Sequence, residues 1–246
     1  MSLDGIKKLG LIAGLLCLSY SAQAQIVTQG RIVYERKTNL KKLFKGNKRV
    51  EMFLDKDVTW RIEEFEMFFN DSLSAFTPIE SDEPEQGFMK YLTSHNQIYK
   101  NLNSNERLAV MDMWGTETYM LDQMEKKTWK ITNRTRKLAG YECTRAIWEQ
   151  DDTTRIYAWF APELVPTTGP EGFGGLPGTI LGLATENGAI IYFAKEVEII
   201  QPTQEQLTRS TKGKDVYTQQ ELKDLLMEKM GKWVKPEDLE GMFAWL

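Results

Sequence analysis

From Gln25 onward, apolar and polar residues alternate mostly with a period of two. Residues 31–36 (RIVYER) and 64–69 (EFEMFF) show the pattern early. Related runs follow at 98–102, 107–113, 117–121, 128–132, 140–149, 153–160, 179–185 and 189–200. Successive side chains of an extended strand point to opposite faces, so each run is expected to be a strand with one buried side. Turn signals stand between the runs at Asn47-Lys48, Asp151-Asp152 and Asn187-Gly188. The Asn-Gly step tolerates the positive φ angles of a tight hairpin turn and is the strongest of the three. Short strands joined by short turns pair antiparallel. The expected fold is therefore α+β and β-dominated: a curved antiparallel sheet, half-barrel or sandwich-like, carrying a C-terminal helix.

Two segments break the alternation. Residues 76–88 are rich in acid and proline (Glu80, Asp82, Glu83, Pro84, Glu85) and are expected to form an exposed loop, because the ordered acid spacing of a calcium loop is missing. Near the end the period lengthens. Thr218 and Glu221 form a capping box, Leu222, Leu225, Leu226 and Met230 fall on one helical face, and Gly231 is placed to stop a helix over about 218–231. Pro236 with Glu237 and Asp238 opens one more turn. The tail bearing Met242, Phe243, Trp245 and Leu246 is expected to dock on the body. No internal repeat or linker is evident, so residues 25–246 read as one domain.

Before that domain lies a leader. Lys7 and Lys8 precede an uncharged apolar stretch over 9–18, and Ala22-Gln23-Ala24 offers small residues to a signal peptidase. This arrangement predicts export, with cleavage between Ala24 and Gln25. The apolar stretch falls short of the ~20 residues that span a bilayer, and no later segment reaches that length, so no transmembrane segment is expected after cleavage. The location implied is the periplasm, the outer membrane's surface or the exterior.

Charge and cysteine content narrow the function classes. A net charge of −4 with 31 basic and 35 acidic residues lacks the excess positive charge that nucleic-acid binding requires. Once the leader carrying Cys17 is removed, Cys143 is alone, and its strand-like context (YECTRA) suggests a buried thiol. His95, the single histidine, sits in a polar stretch and is expected at the surface. One histidine and one cysteine make neither a nucleophile-base arrangement nor a structural zinc set, and no phosphate-binding glycine motif follows a strand. No catalytic residue, cofactor or metal is expected, although the many carboxylates leave an acid-base pair formally open.

The most distinctive stretch is 169–180. Gly169, Pro170, Gly174, Gly175, Leu176, Pro177 and Gly178 specify a rigid, tightly turned loop, which ends in an apolar strand at Thr179 and Ile180. The run Gly175-Leu176-Pro177-Gly178-Thr179-Ile180 resembles the motif that names the GLPGLI family of exported Gram-negative proteins. Thr179 alone departs, standing where the family has leucine, a change expected to affect packing only. Gly30-Arg31-Ile32-Val33-Tyr34-Glu35, the Gly140-Tyr141-x-Cys143-x-x-Ala146 step and Gly169-Pro170 add to the resemblance. The resemblance implies export and carries no catalytic residues. Two functions are open. One is a carrier for a hydrophobic small molecule, its cleft lined by Met67, Phe69, Trp114, Trp148, Trp159 and the 169–180 loop. The other is an interaction component that holds an envelope protein through an exposed apolar patch.

Overall fold

The computed structural model describes residues 26–246 apart from 53, 55–58, 82–92, 114, 150–153 and 231–235. The leader with its Ala24-Gln25 junction, Trp114, the Asp151-Asp152 turn and Gly231 lie outside the described residues.

The described residues form one twelve-stranded sheet. The strands are β1 (Gly30–Asn39), β2 (Trp60–Phe69), β3 (Leu73–Pro78), β4 (Gln97–Asn101), β5 (Glu106–Met113), β6 (Thr116–Gln123), β7 (Trp129–Leu138), β8 (Tyr141–Glu149), β9 (Arg155–Ala161), β10 (Thr179–Thr185), β11 (Ile190–Glu198) and β12 (Val216–Tyr217). Two antiparallel meanders, β1 to β6 and β7 to β11, meet where β11 pairs with β1, and the order across the sheet is β12-β6-β5-β4-β3-β2-β1-β11-β10-β9-β8-β7. Among these strands only β12, added to β6, runs parallel to its neighbour.

Connectivity forces this sheet to curl. β6 and β7 stand ten strand spacings apart, yet residues 124–128 join them. A flat sheet would separate them by roughly 48 Å, whereas a five-residue link reaches at most about 20 Å. The sheet therefore bends into an open half-barrel, and its two margins face each other across a seam. The half-barrel form of the expected fold is the one adopted.

Alternation in the ladders separates the faces. Ile32, Tyr34, Arg36 and Thr38 of β1 share the inner face with Arg61, Glu63, Phe65, Met67 and Phe69 of β2, with Ser74 and Phe76 of β3, and with Lys100 and Arg107 of β4 and β5. Phe76 is thus a buried strand residue: of the loop expected over 76–88, residues 76–78 belong to β3, residues 79–81 follow it without regular structure, and 82–88 lie outside the described residues.

Among the described residues five short helices complete the chain: α1 (Leu40–Leu43), α2 (Lys48–Glu51), α3 (Gln204–Leu207), α4 (Gln219–Met230) and α5 (Pro236–Phe243). Asn47 starts α2 by accepting from the Val50 N–H. After β11 the chain crosses the outer face, where Leu207 is buried, Arg209 pairs with Glu117 and Lys214 lies over Tyr119. β12 then turns it around the β6 margin. Thr218 and Glu221 cap the start of α4 reciprocally, at 2.8 and 3.3 Å. The buried Leu222, Leu226, Leu239, Phe243 and Leu246 bring α4, α5 and the tail into the same core as the inner face. Among the described residues no helix is long and apolar enough to cross a membrane.

Candidate functional site

The segment between β9 and β10 folds onto the inner face, where a barrel would have its interior. Its glycines permit this. A β-carbon on Gly169 would stand 2.7 Å from Ile180 Cβ, one on Gly178 would overlap the Ala161 carbonyl, and Gly175 has φ +79. The loop is sewn down by main-chain bonds from Gly175 to Thr167 (2.9 Å), Ile180 to Thr168 (2.9 Å) and Thr179 to Leu164 (2.8 Å). The Tyr34 hydroxyl donates to the Ile180 carbonyl at 2.7 Å from the sheet floor. Thr179 does more than pack: its hydroxyl donates to the Pro166 carbonyl at 2.7 Å, a bond that leucine at this position would forgo. Gly174 supplies a carbonyl to Trp129 Nε1 at 3.0 Å, and Leu176 and Phe173 are buried. Pro170 closes the turn by accepting from the Phe173 N–H.

Beneath the loop lies a band of buried charge. Lys100, fully buried, donates to the Gly169 and Phe173 carbonyls, both at 2.8 Å, and reaches Thr168 Oγ1 at 3.5 Å. Burial, with Lys127 and Arg107 adding repulsion, pushes the Lys100 ammonium well below its usual range. Glu171 adopts a left-handed backbone (φ 49) and turns its carboxylate inward, accepting from Tyr192 at 2.6 Å and lying 3.7 Å from Arg36. Burial pushes the Glu171 carboxyl up against the pull of Arg36, Tyr192 and Lys100. Such strain in a non-glycine residue marks a position the surroundings over-determine.

Glu63 anchors the other end of the band. It binds Arg36 at 2.7 Å, Arg61 at 2.9 Å, His95 Nε2 at 2.7 Å and the Thr93 hydroxyl at 2.8 Å. Burial alone would raise its carboxyl, but His95, Arg36, Arg61 and Thr93 outweigh it and hold the group at about 2. His95 is therefore a partly buried member of this network, not the plain surface residue its polar sequence suggests. It also borders a surface cavity of about 220 Å³ with Gln97, Val110, Asp112, Gly115 and Glu117. Among the described residues, no group of three or more His, Cys, Asp or Glu has metal-binding geometry.

At the seam, aromatic rings close the half-barrel. Phe173 meets Trp245 edge-on at 5.1 Å and Trp148 at 6.0 Å, Trp129 stands 6.5 Å from Trp148, and Trp245 lies 6.3 Å from Tyr192. Lys127 Nζ rests over the Trp148 and Phe173 rings at 5.1 and 5.0 Å, and burial beside Arg107 pulls its amine down to about 8. The tail plugs the remaining gap. Gly172 N–H donates to the Trp245 carbonyl at 2.8 Å, and Arg107 donates to the Leu246 carbonyl. Gly172 is required here, because a β-carbon would overlap the Leu246 carbonyl group.

Of the expected cleft residues, Met67 and Phe69 are fully buried under the loop, and Trp148 stands at the seam. Trp159 alternates with the inward Ala158 and Phe160, and its ring carries Arg136 at 5.1 Å instead of lining the cleft. Cys143 is buried, and burial pushes its thiol up to about 11. The buried charges Arg36, Glu63, Lys100 and Arg107 escaped sequence reading, since β1, β2, β4 and β5 carry polar residues on both faces.

No protein-family profile matches the chain, and no curated protein is detectably similar to it. Its fold is similar to that of PNGF-II, solved in C2 and P21 crystal forms, with TM-scores of 0.56 and 0.55 at 16% identity. Those matches cover 83% of this chain and 34% of the PNGF-II chain, so this chain spans about a third of that protein's length. An uncharacterized conserved protein from Thermus thermophilus matches over 84% of this chain and 99% of its own, at 9% identity and a TM-score of 0.41.

Proposed function

We propose that this protein is a non-catalytic binding module that takes up one hydrophobic small molecule, and that it does so as an exported protein of the cell envelope related to the GLPGLI group. The observation that supports binding is the construction of the half-barrel's interior. Its floor, part apolar and part buried charge, is covered not by further sheet but by a loop, held by main-chain and buried side-chain bonds, and by a C-terminal tail. The open cleft expected from the sequence is, among the described residues, occupied by Phe173, Leu176, Trp245 and Leu246. A ligand would enter by displacing part of this cover at the mouth of the half-barrel, a place where β-barrels commonly carry ligand sites. The buried acids and bases hold the loop in place: Lys100 binds its carbonyls, and Arg36 with Tyr192 holds Glu171.

Native mass spectrometry of protein purified gently from its own envelope tests this reading. A stoichiometric lipid-sized mass supports it. A bare protein that also ignores added lipids sinks it.

The second reading, an interaction component that holds another envelope protein, is favoured by β7. This margin strand shows Ile131 at 52% exposure among Lys130, Arg134, Arg136 and Lys137, and among the described residues no strand pairs with its outer edge, where another could add.

A further inference from the structure

Where β2 begins, the usual alternation is inverted. Arg61 and Glu63 turn inward to the charged band, so Trp60 and Ile62 are left on the outer face, 45% and 59% exposed. Across the ladder, Trp60 stands opposite Asn39 and Ile62 opposite Lys37. The connection between these two strands adds two more apolar side chains to the surface, Leu43 of α1 at 37% exposure and Met52 after α2 at 76%. Its ends are tied together by the Leu40 N–H donating to the Thr59 carbonyl at 3.0 Å. Lys42 Nζ donates to the Asn187 carbonyl at 2.7 Å, which fixes α1 over the β10–β11 turn at the same rim of the half-barrel.

This rim is also basic. Residues 37–50 carry six basic side chains and no acid, in a chain whose net charge is −4. Lys41, Lys42, Lys45 and Lys48 are exposed. Glu51 follows and turns its carboxylate onto the Gly46 N–H at 2.9 Å. With Lys56 and the acids Glu51, Asp55 and Asp57 counted, residues 40–59 hold six basic and three acidic groups, an excess of three positive charges. We propose that this rim docks on an anionic lipid surface, with its lysines at the phosphates and Trp60, Ile62, Leu43 and Met52 reaching the boundary of the acyl chains. Tryptophan favours the head-group level, where its ring is apolar and its N–H stays wet. Each basic residue near such a surface adds about 1 kcal/mol of attraction, so three excess charges alone hold weakly and the apolar contacts supply the second signal. A nucleic-acid backbone would meet the lysines and leave the aliphatic side chains in water. The rim is separate from the interior of the half-barrel, so this inference goes beyond the hydrophobic-ligand reading and does not depend on it.

The test is flotation of the protein, purified from its own envelope, with vesicles of phosphatidylcholine alone or with about a third of phosphatidylglycerol. Binding to the anionic vesicles should be at least about tenfold tighter and should fall steeply as salt rises. Lys41→Glu, Lys45→Glu and Lys48→Glu together should abolish that preference. The same change of charge at Lys126, Lys212 and Lys229, exposed elsewhere, should leave it in place. Trp60→Ser with Ile62→Ser should weaken binding by about tenfold or more and preserve its salt dependence. Should a variant not fold, quenching by bromine-labelled lipid decides: the parent should be quenched more than Trp60→Phe. Failure to float with anionic vesicles, equal binding to both vesicle types, or equal quenching overturns the proposal. Binding that survives both the lysine and the Trp60–Ile62 changes overturns it too, and places the attraction in another basic stretch such as β7.

Discussion

Gly172→Ala isolates the attachment of the tail. The new methyl group would overlap the Leu246 carbonyl, a main-chain group with no rotamer to escape into, so the tail backbone must move. Three contributions are lost. The Gly172-to-Trp245 hydrogen bond, 2.8 Å long, is worth about 1 kcal/mol. The edge-on contact of Trp245 with Phe173 at 5.1 Å adds about 1 kcal/mol. Burial of Leu246, now 1% exposed, contributes roughly 2 kcal/mol. The variant should therefore lose about 3 to 4 kcal/mol in urea unfolding followed by tryptophan fluorescence. The amides of Trp245 and Leu246 should exchange much faster in the folded protein. Gly175→Ala is the control: its φ of +79 strains any side chain, but the methyl meets nothing within 4 Å. It should cost only about 1 kcal/mol and leave the tail protected. If the two variants are equally stable, and tail exchange is unchanged in Gly172→Ala, the account of the seat is wrong.

Three further outcomes are expected. The Glu63 carboxyl is held at about 2 against an ordinary 4.5, so its contribution to stability is complete above pH 4.5 and is lost as pH falls toward 2. Acid titration of unfolding should show a loss of about 3 kcal/mol in that window, and Glu63→Gln should flatten it. The Lys127 amine lies at about 8 against an ordinary 10.5, so the unfolded chain holds more protons between these values and stability should rise from pH 8 to pH 10. Lys127→Met should reduce that rise in denaturant titrations; a parent and variant with equal slopes would show that Lys127 does not carry it. Cys143, buried with its thiol pushed up to about 11, should react with a disulfide reagent at pH 8 only after unfolding. Prompt labelling of the native protein would contradict that burial.

What the sequence made legible was local. The Asn187-Gly188 turn does join β10 and β11, with Gly188 at φ +64 and the Asn187 side chain accepting from Ala189 N–H. The capping box at Thr218 starts α4, and the run over 179–185 is β10. These features are encoded within a few residues. β3 escaped because its six residues, LSAFTP, alternate weakly and run into proline. The charged band escaped for a different reason. In β1, Arg36 and Thr38 lie on the inner face with Ile32 and Tyr34, while Val33 faces outward, so alternation alone cannot name the inner side. The partners that make Arg36 tolerable inside, Glu63 and Glu171, stand 27 and 135 positions away along the chain. Only the fold brings them together.

The position of β1 has a consequence for how the molecule is made. It is the first strand among the described residues and one of the innermost of the sheet. Its pairing with β2 is available early, but its other edge waits for β11, which pairs Arg31 with Glu198. During synthesis the first meander must therefore stand with an open hydrogen-bonding edge while residues 124–198 are added. Long-range pairings of this kind slow folding, and an exposed strand edge invites pairing with another chain. The step that seals the sheet is the arrival of β11, so a chain cut short before residue 190 should aggregate through β1, whereas one that has completed β11 should not.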